Sequence, residues 1–398
     1  MRLTSEHIQF ILAHECEDVR KLALRKSIFA STDMPFLLAQ IAGRQIAKNK
    51  IPWWYSHHEI IYPIHLSIEQ ASSEITARYK SSLLPTRKNR MVDLTGGMGV
   101  DFSFLSQNFN EAIYVEQNKD LCEIAALNFQ TLGLLNTTIE NERSEILLQR
   151  IPRANLIYLD PSRRNDAGQK VFRIEDCSPN VADIKNTLLE KAESVFIKYS
   201  PMLDISLAVK TLQFVSEVHI ISVNNECKEL LFILKKHAEK VLYTAVNLKT
   251  TETDASFSFT LEEERASRIL YTSEVESYLY EPNASLLKAG AFNSVCHRFN
   301  LKKLHKNTHL YTSENLVSHF PGRIFKVEDV FSPDKSNLKS FFVKTKKANI
   351  AVRNFPMSVS EIRKKTKIEE GGDIYVFAAT LQDERKVWIT CKKIQNSF

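Results

Sequence analysis

Residues 91–101 read MVDLTGGMGVD and place three glycines within four positions, Gly96, Gly97 and Gly99. The whole chain of 398 residues has only ten glycines, so this cluster needs a reason. The apolar run before it predicts a strand, and FSFLSQNF after it predicts a helix. A glycine-rich turn in that setting lets the backbone approach a ligand and presents amide donors to it. A tight turn without a ligand is the alternative.

Two ligand classes use such a turn. Dinucleotides prefer G-x-G-x-x-G, and here Gly97 and Gly99 supply the first two glycines but Phe102 stands at the third, so that fingerprint fails. S-adenosylmethionine (SAM) needs no phosphate cradle, and its turn has an acid just before the glycines that faces the methionine ammonium. Asp93 supplies the acid, and Thr95 replaces the first glycine of that pattern. The sequence therefore favours SAM.

Polar side chains follow the next two predicted strands. Glu116 ends AIYVE, 17 residues after Gly99, where a carboxylate can accept both hydroxyls of a ribose, and Gln117 follows it. A solvent-exposed acid is the alternative. Asn141 and Glu142 follow the third strand, TTIE, where a polar side chain commonly meets the adenine amino group.

The fourth predicted strand ends abruptly in a polar stretch, NLIYLDPSRRN, which contains Asp160, Pro161, Ser162, Arg163 and Arg164. Ligands of open parallel sheets lie beyond the carboxyl ends of the strands, so these residues should border the methyl donor and the acceptor. Asp160 and the backbone of Pro161 could hold the acceptor's N–H or accept its proton. The two arginines offer planar stacking and paired donors to phosphate, carboxylate or a guanine edge, unless they form a salt-bridged loop.

Three further residues are candidates near this edge. Lys198 ends the fifth predicted strand and either pairs with Asp160, meets the substrate, or is an ordinary strand-end lysine. Asp101, just after the glycine turn, is a candidate for cofactor contact, as is Asp160. Cys177 would be a nucleophile only in a pyrimidine C5 mechanism, and free cysteine is more often a small buried residue.

Basic residues concentrate towards the C-terminus. From Arg298 to Lys367 there are 16 Lys or Arg against 5 Asp or Glu, a net charge of +11, which leaves −5 for the rest of a chain whose total is +6. Such asymmetry indicates that one part of the protein faces a polyanion such as a nucleic acid. A solvated basic face without a partner is the other interpretation.

Composition excludes several classes. At 43% hydrophobic and 25% charged residues the chain is typical of a globular protein, and no run of about 18 apolar residues predicts a membrane span. The N-terminus has no signal-peptide pattern. The six cysteines form no CxxC pair and no Cys/His zinc spacing, so we expect neither disulfides nor a metal site. A reducing cytoplasm fits best; the oligomeric state is not defined.

The chain divides by pattern. Residues 1–80 are predicted to be helical, with apolar residues at helical spacing over 36–51 and over 68–84. Over 81–268, short segments rich in Val, Ile and Tyr alternate with stretches of helix length, which predicts βαβ units and a parallel sheet. Residues 255–261, ASFSFTL, predict an antiparallel strand that closes this part. Short strands and helices mix after that, as in small α+β modules.

The motifs together resemble those of class I SAM-dependent methyltransferases. They are DLTGGMG (93–99), DPSRR (160–164) and KYSP (198–201). Ser162 and Arg163 stand where that family has a second proline and an aromatic residue. The stretches from 278 onward, YLYEPNASLLKAG, HFPGRIFKVEDVF and ERKVWITCKK, are similar to a bacterial group of these proteins with a C-terminal THUMP-like domain.

The resemblance spans nearly the whole chain and implies an α/β fold with a Rossmann-like core and an N-terminal helical region. It also implies a ferredoxin-like segment at 269–318, a THUMP-like domain at 319–398, SAM as the cofactor, and RNA as the partner. THUMP domains bind RNA in enzymes that modify tRNA and rRNA. A methyltransferase of a small molecule or protein, and a catalytically silent fold that binds RNA, remain alternatives.

Overall fold

The computed structural model describes residues 3–25, 29, 33–64, 68–162, 173–250, 254–334, 341 and 345–394. The chain forms two compact units, Met1–Val218 with Glu229–Lys240, and His219–Lys228 with Val241–Phe398. The boundary between the units falls within two strands, β6 Val215–Val223 and β7 Glu226–Leu234. The other elements of the first unit are α1 Ser5–His14, α2 Val19–Leu22, α3 Met34–Lys50, α4 Pro52–Tyr55, α5 Glu74–Ser82, β1 Arg90–Asp93, α6 Val100–Leu105, β2 Glu111–Val115, α7 Lys119–Thr131, β3 Thr137–Glu140, α8 Ser144–Arg150, β4 Ala154–Leu159, α9 Val181–Lys191, β5 Ala192–Tyr199 and α10 Ile205–Leu212.

The first unit is built on a mainly parallel sheet. Its strands follow the order β3-β2-β1-β4-β5-β7, and all neighbours are parallel except β5 and β7. Strand β4 buries five of its six residues and β5 seven of its eight, as expected of parallel strands that are covered on both faces. The carboxyl ends of β1 to β5 therefore meet at one edge of the sheet. The predicted βαβ pattern is confirmed.

Strand β7 corrects the sequence-based interpretation, which had no strand between EVHIISV and residue 242. Residues 226–234 form a strand that pairs antiparallel with β5, from Val195 opposite Leu234 to Tyr199 opposite Leu230. Its apolar run LLFIL is buried on both faces, and periodicity cannot distinguish such a run from a buried helix segment. The sequence signal was the pair of asparagines before it. Two-residue hairpin turns need positive φ, which asparagine tolerates, and Asn224 and Asn225 both have positive φ in the structure.

Helix α5 is a second correction, because the apolar pattern over 68–84 is not one helix. The helix covers only Glu74–Ser82, and the residue before it, Ser73, has an extended backbone with φ −81° and ψ 157°. Serine favours such positions, since its short side chain competes for backbone hydrogen bonds inside a helix. Ser72 consequently lies outside the helix.

The N-terminal helices share a hydrophobic core with the start of α6. Trp54 and Tyr62 pack in one cluster with Met98, Val100 and Phe104. The indole N–H of buried Trp54 also donates to Ser103 Oγ at 3.0 Å. The helical region is thus packed directly on the segment that follows the glycine turn.

An extended segment at 60–62 is held by side-chain amides instead of a neighbouring strand. Asn128 of α7 accepts the N–H of Ile61 at 2.8 Å and donates to its carbonyl at 2.9 Å. Gln40 of α3 pairs with the N–H and the carbonyl of Tyr62 in the same way, at 2.7 and 2.9 Å. Because the two amide side chains are fully buried, they satisfy backbone groups that water cannot reach.

The second unit is an antiparallel hairpin and a larger mixed sheet with short helices. Strands β8 and β9 pair antiparallel, which confirms the strand predicted at 255–261. Eight further strands follow the order β10-β12-β13-β11-β14-β17-β16-β15. The elements of this unit are β8 Leu242–Leu248, β9 Ala255–Phe259, α11 Leu261–Ala266, β10 Leu270–Tyr271, β11 Tyr278–Pro282, α12 Ala284–Ala289, α13 Asn293–Arg298, β12 Lys302–Lys303, β13 Tyr311–Ser313, β14 Gly322–Phe331, β15 Asn349–Arg353, α14 Val359–Thr366, β16 Ile374–Thr380 and β17 Lys386–Lys393.

Within the described ranges, no helix is long and apolar enough to cross a membrane.

We predict that Asn128→Ala lowers the free energy of unfolding by about 2–5 kcal/mol, because it leaves the buried N–H and carbonyl of Ile61 without partners. Urea denaturation followed by tryptophan fluorescence measures this, since Trp53 and Trp54 lie in the first unit. Asn110→Ala is the matched control: Asn110 is exposed, and its loss should change stability by less than about 0.5 kcal/mol. Equal stability of the two variants would contradict the role given to Asn128.

Candidate methyl-transfer site

The glycine turn connects β1 to α6 and has the backbone that its residue types demand. Gly97 and Gly99 have φ of +55° and +81°, values that side chains other than glycine rarely adopt. Gly96 has a different reason, because a Cβ there would lie 2.2 Å from the ring of Tyr114. Among the described residues, a Cβ on Gly97 would meet one atom within 4 Å, the carbonyl oxygen of Thr95 at 3.8 Å, so these residues leave open space beside the backbone of Gly97. A ligand can approach the chain closely at that point.

Asp93 ends β1 beneath the turn and is almost fully buried, with 1% of its surface exposed. Its Oδ1 accepts the N–H of Thr95 at 2.9 Å. Burial raises the pKa of the Asp93 carboxyl to about 8, and the nearby Asp101 and Asp160 carboxylates add to the effect. Asp93 is therefore a mostly protonated acid at neutral pH that a cationic ligand would ionise.

Glu116, just beyond the end of β2, is hydrogen-bonded to the glycine turn. Its Oε2 accepts the N–H of Gly97 at 2.9 Å, and its Oε1 accepts the N–H of Asn118 at 2.8 Å. Two backbone donors fix the carboxylate in one orientation, and each oxygen keeps a lone pair that can accept a further donor. The structure thus brings Glu116 and the turn together as the sequence predicts.

The residues after β3 lie beside the same loop. Asn141 donates from Nδ2 to the carbonyls of Glu116 and Gln117, at 2.9 and 3.0 Å, so its amide is used to hold the second strand-end loop. The Gln117 side chain is exposed. Glu142 accepts the N–H of Arg143 at 3.0 Å and is half-buried. Of the two candidates after this strand, Glu142 is the one whose side chain is not committed to that loop.

Asp160 lies just beyond the end of β4, and its backbone joins it to the glycine turn. Its N–H donates to Thr95 Oγ1 at 2.5 Å. Its side chain is 42% exposed, and Oδ2 lies 2.6 Å from Lys198 Nζ. Pro161 behind it is buried, and Ser162 is exposed.

The predicted arginine pair, Arg163 and Arg164, lies outside the described residues.

Lys198 of β5 is surrounded by oxygen atoms. Besides Asp160, its Nζ contacts Ser72 Oγ at 2.9 Å and Asp101 Oδ2 at 3.2 Å. Only 10% of the side chain is exposed. Burial alone would lower the pKa of Lys198, but the Asp160 and Asp101 carboxylates outweigh it and raise that pKa. Of the alternatives for Lys198, the structure shows the pairing with Asp160.

A second lysine, Lys80 of α5, lies on the other side of the same acid. Its Nζ is 3.0 Å from Asp101 Oδ1, 2.5 Å from Glu229 Oε1 and 3.1 Å from Ser72 Oγ. The side chain is completely buried. Each ammonium therefore contacts Ser72 and Asp101 and has one further carboxylate of its own.

Asp101 is the centre of this arrangement. Its Oδ2 also accepts the hydroxyl of Tyr158 at 2.6 Å and that of Ser72 at 2.7 Å. Burial would raise the pKa of Asp101, but the two ammonium groups outweigh burial and hold that pKa well below its usual range. We call the whole set the ion cluster: Ser72, Lys80, Asp101, Tyr158, Asp160, Lys198 and Glu229.

Sequence reasoning identified three members of the ion cluster, Asp101, Asp160 and Lys198, but missed the others. Ser72 and Lys80 lie in the region that was treated as separate, and Glu229 lies in the strand that was missed. The available signal was weak: a lysine within the predicted helical pattern of 68–84, and a glutamate directly before the apolar run LLFIL. Pairing them requires a contact across 149 residues, which no local pattern reveals.

In the parts of the chain that the structure describes, no group of three His, Cys, Asp or Glu side chains is placed to hold a metal ion.

The first unit combines three features: a parallel sheet with an antiparallel strand beyond β5, a glycine turn after β1, and an acid at the end of β2. Together they define a class I methyltransferase fold. Family models match the C-terminal part as a ferredoxin-like domain at residues 278–321 and a THUMP domain-like region at residues 322–393.

A solved structure resembles the chain over its whole length. This candidate methyltransferase from Porphyromonas gingivalis W83 is 33% identical and superposes with a TM-score of 0.88 over 99% of this chain and 100% of its own. The protein belongs to the family of this candidate methyltransferase. In this chain the class I fold is joined to ferredoxin-like and THUMP-like C-terminal domains.

Two other solved structures are more distant. An rRNA methylase from Streptococcus thermophilus is 15% identical, with a TM-score of 0.31 over 41% of this chain and 94% of its own. A candidate methyltransferase from Streptococcus mutans in complex with SAH is 14% identical, with a TM-score of 0.32 over 41% of this chain and 97% of its own. No curated protein matches the chain.

We predict that Lys80→Met lowers the free energy of unfolding at pH 7 by about 3–5 kcal/mol, because the buried carboxylate of Glu229 loses its counter-ion and that of Asp101 keeps one of its two. The double variant Lys80→Met, Glu229→Leu should recover part of the loss, since it also removes one of those carboxylates. Urea denaturation of the three proteins measures both effects.

The pH dependence has a defined sign. The lowered pKa of Asp101 contributes stability that is present above the unfolded value and lost as pH falls through the folded one. The raised pKa of Lys198 contributes stability below its unfolded value, lost only at strongly alkaline pH. Lys80→Met should therefore be costly throughout the neutral range, and a cost below about 1 kcal/mol at pH 7 would show that the lysine is not needed.

Proposed function

We propose that the protein transfers the methyl group of SAM to a nucleotide in structured RNA such as tRNA or rRNA. The observation that carries this proposal is the joining of three strand ends at the glycine turn. Asp93 lies beneath the turn, Glu116 accepts the N–H of Gly97, and the N–H of Asp160 donates to Thr95. Asp93 would thus face an ammonium, Glu116 a ribose and Asp160 the acceptor. All three acids are hydrogen-bonded to the glycine turn.

The residues fit SAM on two further grounds. The described residues leave open space beside Gly97, so that its backbone can lie against a ligand. Asp93 is a buried carboxyl whose raised pKa would return towards normal beside a cation. Asp93 would hold the methionine ammonium, Glu116 the ribose, and Glu142 the adenine. Thr95, Gly97, Gly99, Gln117 and Asp160 would complete the contacts, while Asp101 would act through the ion cluster.

When bound, SAM supplies a methyl group already activated by its sulfonium, so the protein chiefly has to position the acceptor. Asp160 presents an exposed carboxylate oxygen to hold the acceptor's N–H. Asp160 would also be placed to accept the acceptor's proton when the methyl group is transferred. Pro161 is buried next to Asp160, and its backbone would help to hold the acceptor. Arg163 and Arg164 would bind the nucleotide.

RNA is supported by the C-terminal unit. The THUMP domain-like match covers 322–393, and the stretch 298–367 carries a net charge of +11. Lysines of this region that the structure shows as exposed include Lys346, Lys364, Lys365 and Lys367. Removal of residues 270–398 would distinguish the two substrate classes. An RNA substrate should lose much of its affinity without this basic region, whereas the affinity for a small-molecule substrate should not depend on it.

We predict that Glu116→Ala weakens SAM binding by about 100-fold or more, since two hydrogen bonds to a charged group contribute about 1.5–3 kcal/mol each. Asp160→Ala should keep the affinity within a few fold and remove methyl transfer. Isothermal titration with SAM and a radiolabelled-methyl assay on RNA test the two effects. Glu123→Ala, which removes an exposed acid of α7, is the control and should change neither.

Unchanged SAM affinity of Glu116→Ala would refute the placement of the ribose, and full turnover by Asp160→Ala would put the acceptor elsewhere.

We also predict that SAM binding releases protons from Asp93. With a pKa of about 8 before binding, the carboxyl is mostly protonated at pH 7 and must ionise beside the ammonium, so close to one proton should leave. The affinity should rise with pH up to about 8. Titration calorimetry in two buffers of different ionisation enthalpy counts the protons.

Asp93→Asn keeps the acceptor oxygen for Thr95 but cannot ionise. It should bind SAM more weakly and release no proton. Proton release by Asp93→Asn equal to that of the natural protein would assign the release to another group.

A further inference from the structure

We infer that Ser72 and Lys80 are positioning residues of the methyl-transfer site: they fix the ammonium of Lys198, which in turn holds the carboxylate of Asp160. The inference rests on the proposed role of Asp160 in transfer. It concerns two residues from the N-terminal helical region, which the sequence treats as separate from the catalytic core.

The first step is the hydrogen-bonding capacity of Lys198. An ammonium has three N–H groups and no acceptor. Lys198 Nζ has three oxygen partners within 3.2 Å, on Asp160, Ser72 and Asp101. All three donors are therefore used within the protein. Lys198 has no N–H left for an acceptor molecule, so its contribution to transfer is through Asp160.

The second step is the orientation of Ser72. Its hydroxyl donates to Asp101 Oδ2 at 2.7 Å and accepts from Lys198 at 2.9 Å and from Lys80 at 3.1 Å. One donor and two acceptor positions are all that a hydroxyl has. Among the described residues, both ammonium groups thus contact Ser72 Oγ in addition to the carboxylate of Asp101. Its position fixes the direction in which Lys198 points.

The third step is the gradient of exposure along the ion cluster. Lys80 is completely buried, Lys198 is 10% exposed, and Asp160 is 42% exposed. The chain of contacts therefore begins in α5, inside the core, and ends on a carboxylate that a ligand can reach. Buried groups of this kind hold their partners firmly, because any displacement leaves a charge without compensation.

The experiment has one arm that needs no substrate. Buried, fully hydrogen-bonded ammonium groups exchange their protons slowly, so the protein labelled with ¹⁵N-lysine should show persistent ammonium signals for Lys80 and Lys198, each assigned by its loss in Lys80→Met or Lys198→Met. Asp160→Asn should shift the Lys198 signal, and Ser72→Ala should shift both. Ser73→Ala is the matched control and should shift neither signal, because the Ser73 hydroxyl donates to Thr76 Oγ1 at 3.3 Å and belongs to no contact of the ion cluster that the structure describes.

The second arm measures transfer. RNA from a strain that lacks the gene is the probe, with radiolabelled-methyl SAM at saturation. Ser72→Ala should lower the rate by about 10–100-fold, as losing the support of a reacting group typically does, while SAM affinity stays within about threefold. Ser72→Thr, which restores the hydroxyl, should recover most of the rate. Ser73→Ala should match the natural protein.

Different results refute different statements. An unchanged rate in Ser72→Ala, or a loss of SAM affinity as large as the loss of rate, would overturn the positioning role. Failure of Ser72→Ala to shift the Lys198 signal would overturn it as well. If the natural protein binds SAM but methylates no RNA, while the ammonium signals respond as expected, the proposed RNA substrate fails and the coupling of Ser72 to Asp160 stands.

Discussion

The position of one buried carboxylate, that of Asp101, constrains the rest of the first unit. A carboxylate inside a protein is tolerated only with counter-charges and hydrogen bonds, and Asp101 has two ammonium groups and two hydroxyls. These partners come from α5, β4, β5 and the segment before α5. Glu229 of β7 is the other carboxylate that pairs with Lys80. Five parts of the chain must therefore meet at one point, or a charge remains uncompensated.

Asp101 also lies in the first turn of α6, directly after the glycine turn. Fixing its carboxylate fixes the start of the helix, and the turn is then held from three more sides by Tyr114, Glu116 and Asp160. The glycines allow the close approach, but the acids and hydroxyls around them determine where the backbone lies. Preorganisation of this kind lowers the entropy that binding would otherwise lose.

The sequence predicted what depends on local pattern and on the order of strands. Asp93, Glu116 and Asp160 follow apolar runs, and parallel strands bring their ends together without knowledge of any long-range contact. Lys80 and Glu229 could not be predicted, since each looks like an ordinary charged residue until the fold places them 2.5 Å apart. Strand β7 was missed for a related reason: a doubly buried strand has no alternation to reveal it.

The charges of the ion cluster suit transfer from a cation to a neutral nucleophile. Two ammonium groups stand against three carboxylates, so one negative charge remains, and Asp160 is where that charge reaches the surface. In such a transfer positive charge moves from sulfur to the acceptor atom, and a fixed carboxylate beside the acceptor stabilises the charge where it develops. Lys198 weakens that field somewhat, but it prevents the carboxylate from turning away. If Asp160 acts in transfer as proposed, a carboxylate that is already oriented stabilises the developing charge better than one that must first be oriented, even though its own charge is partly compensated by Lys198.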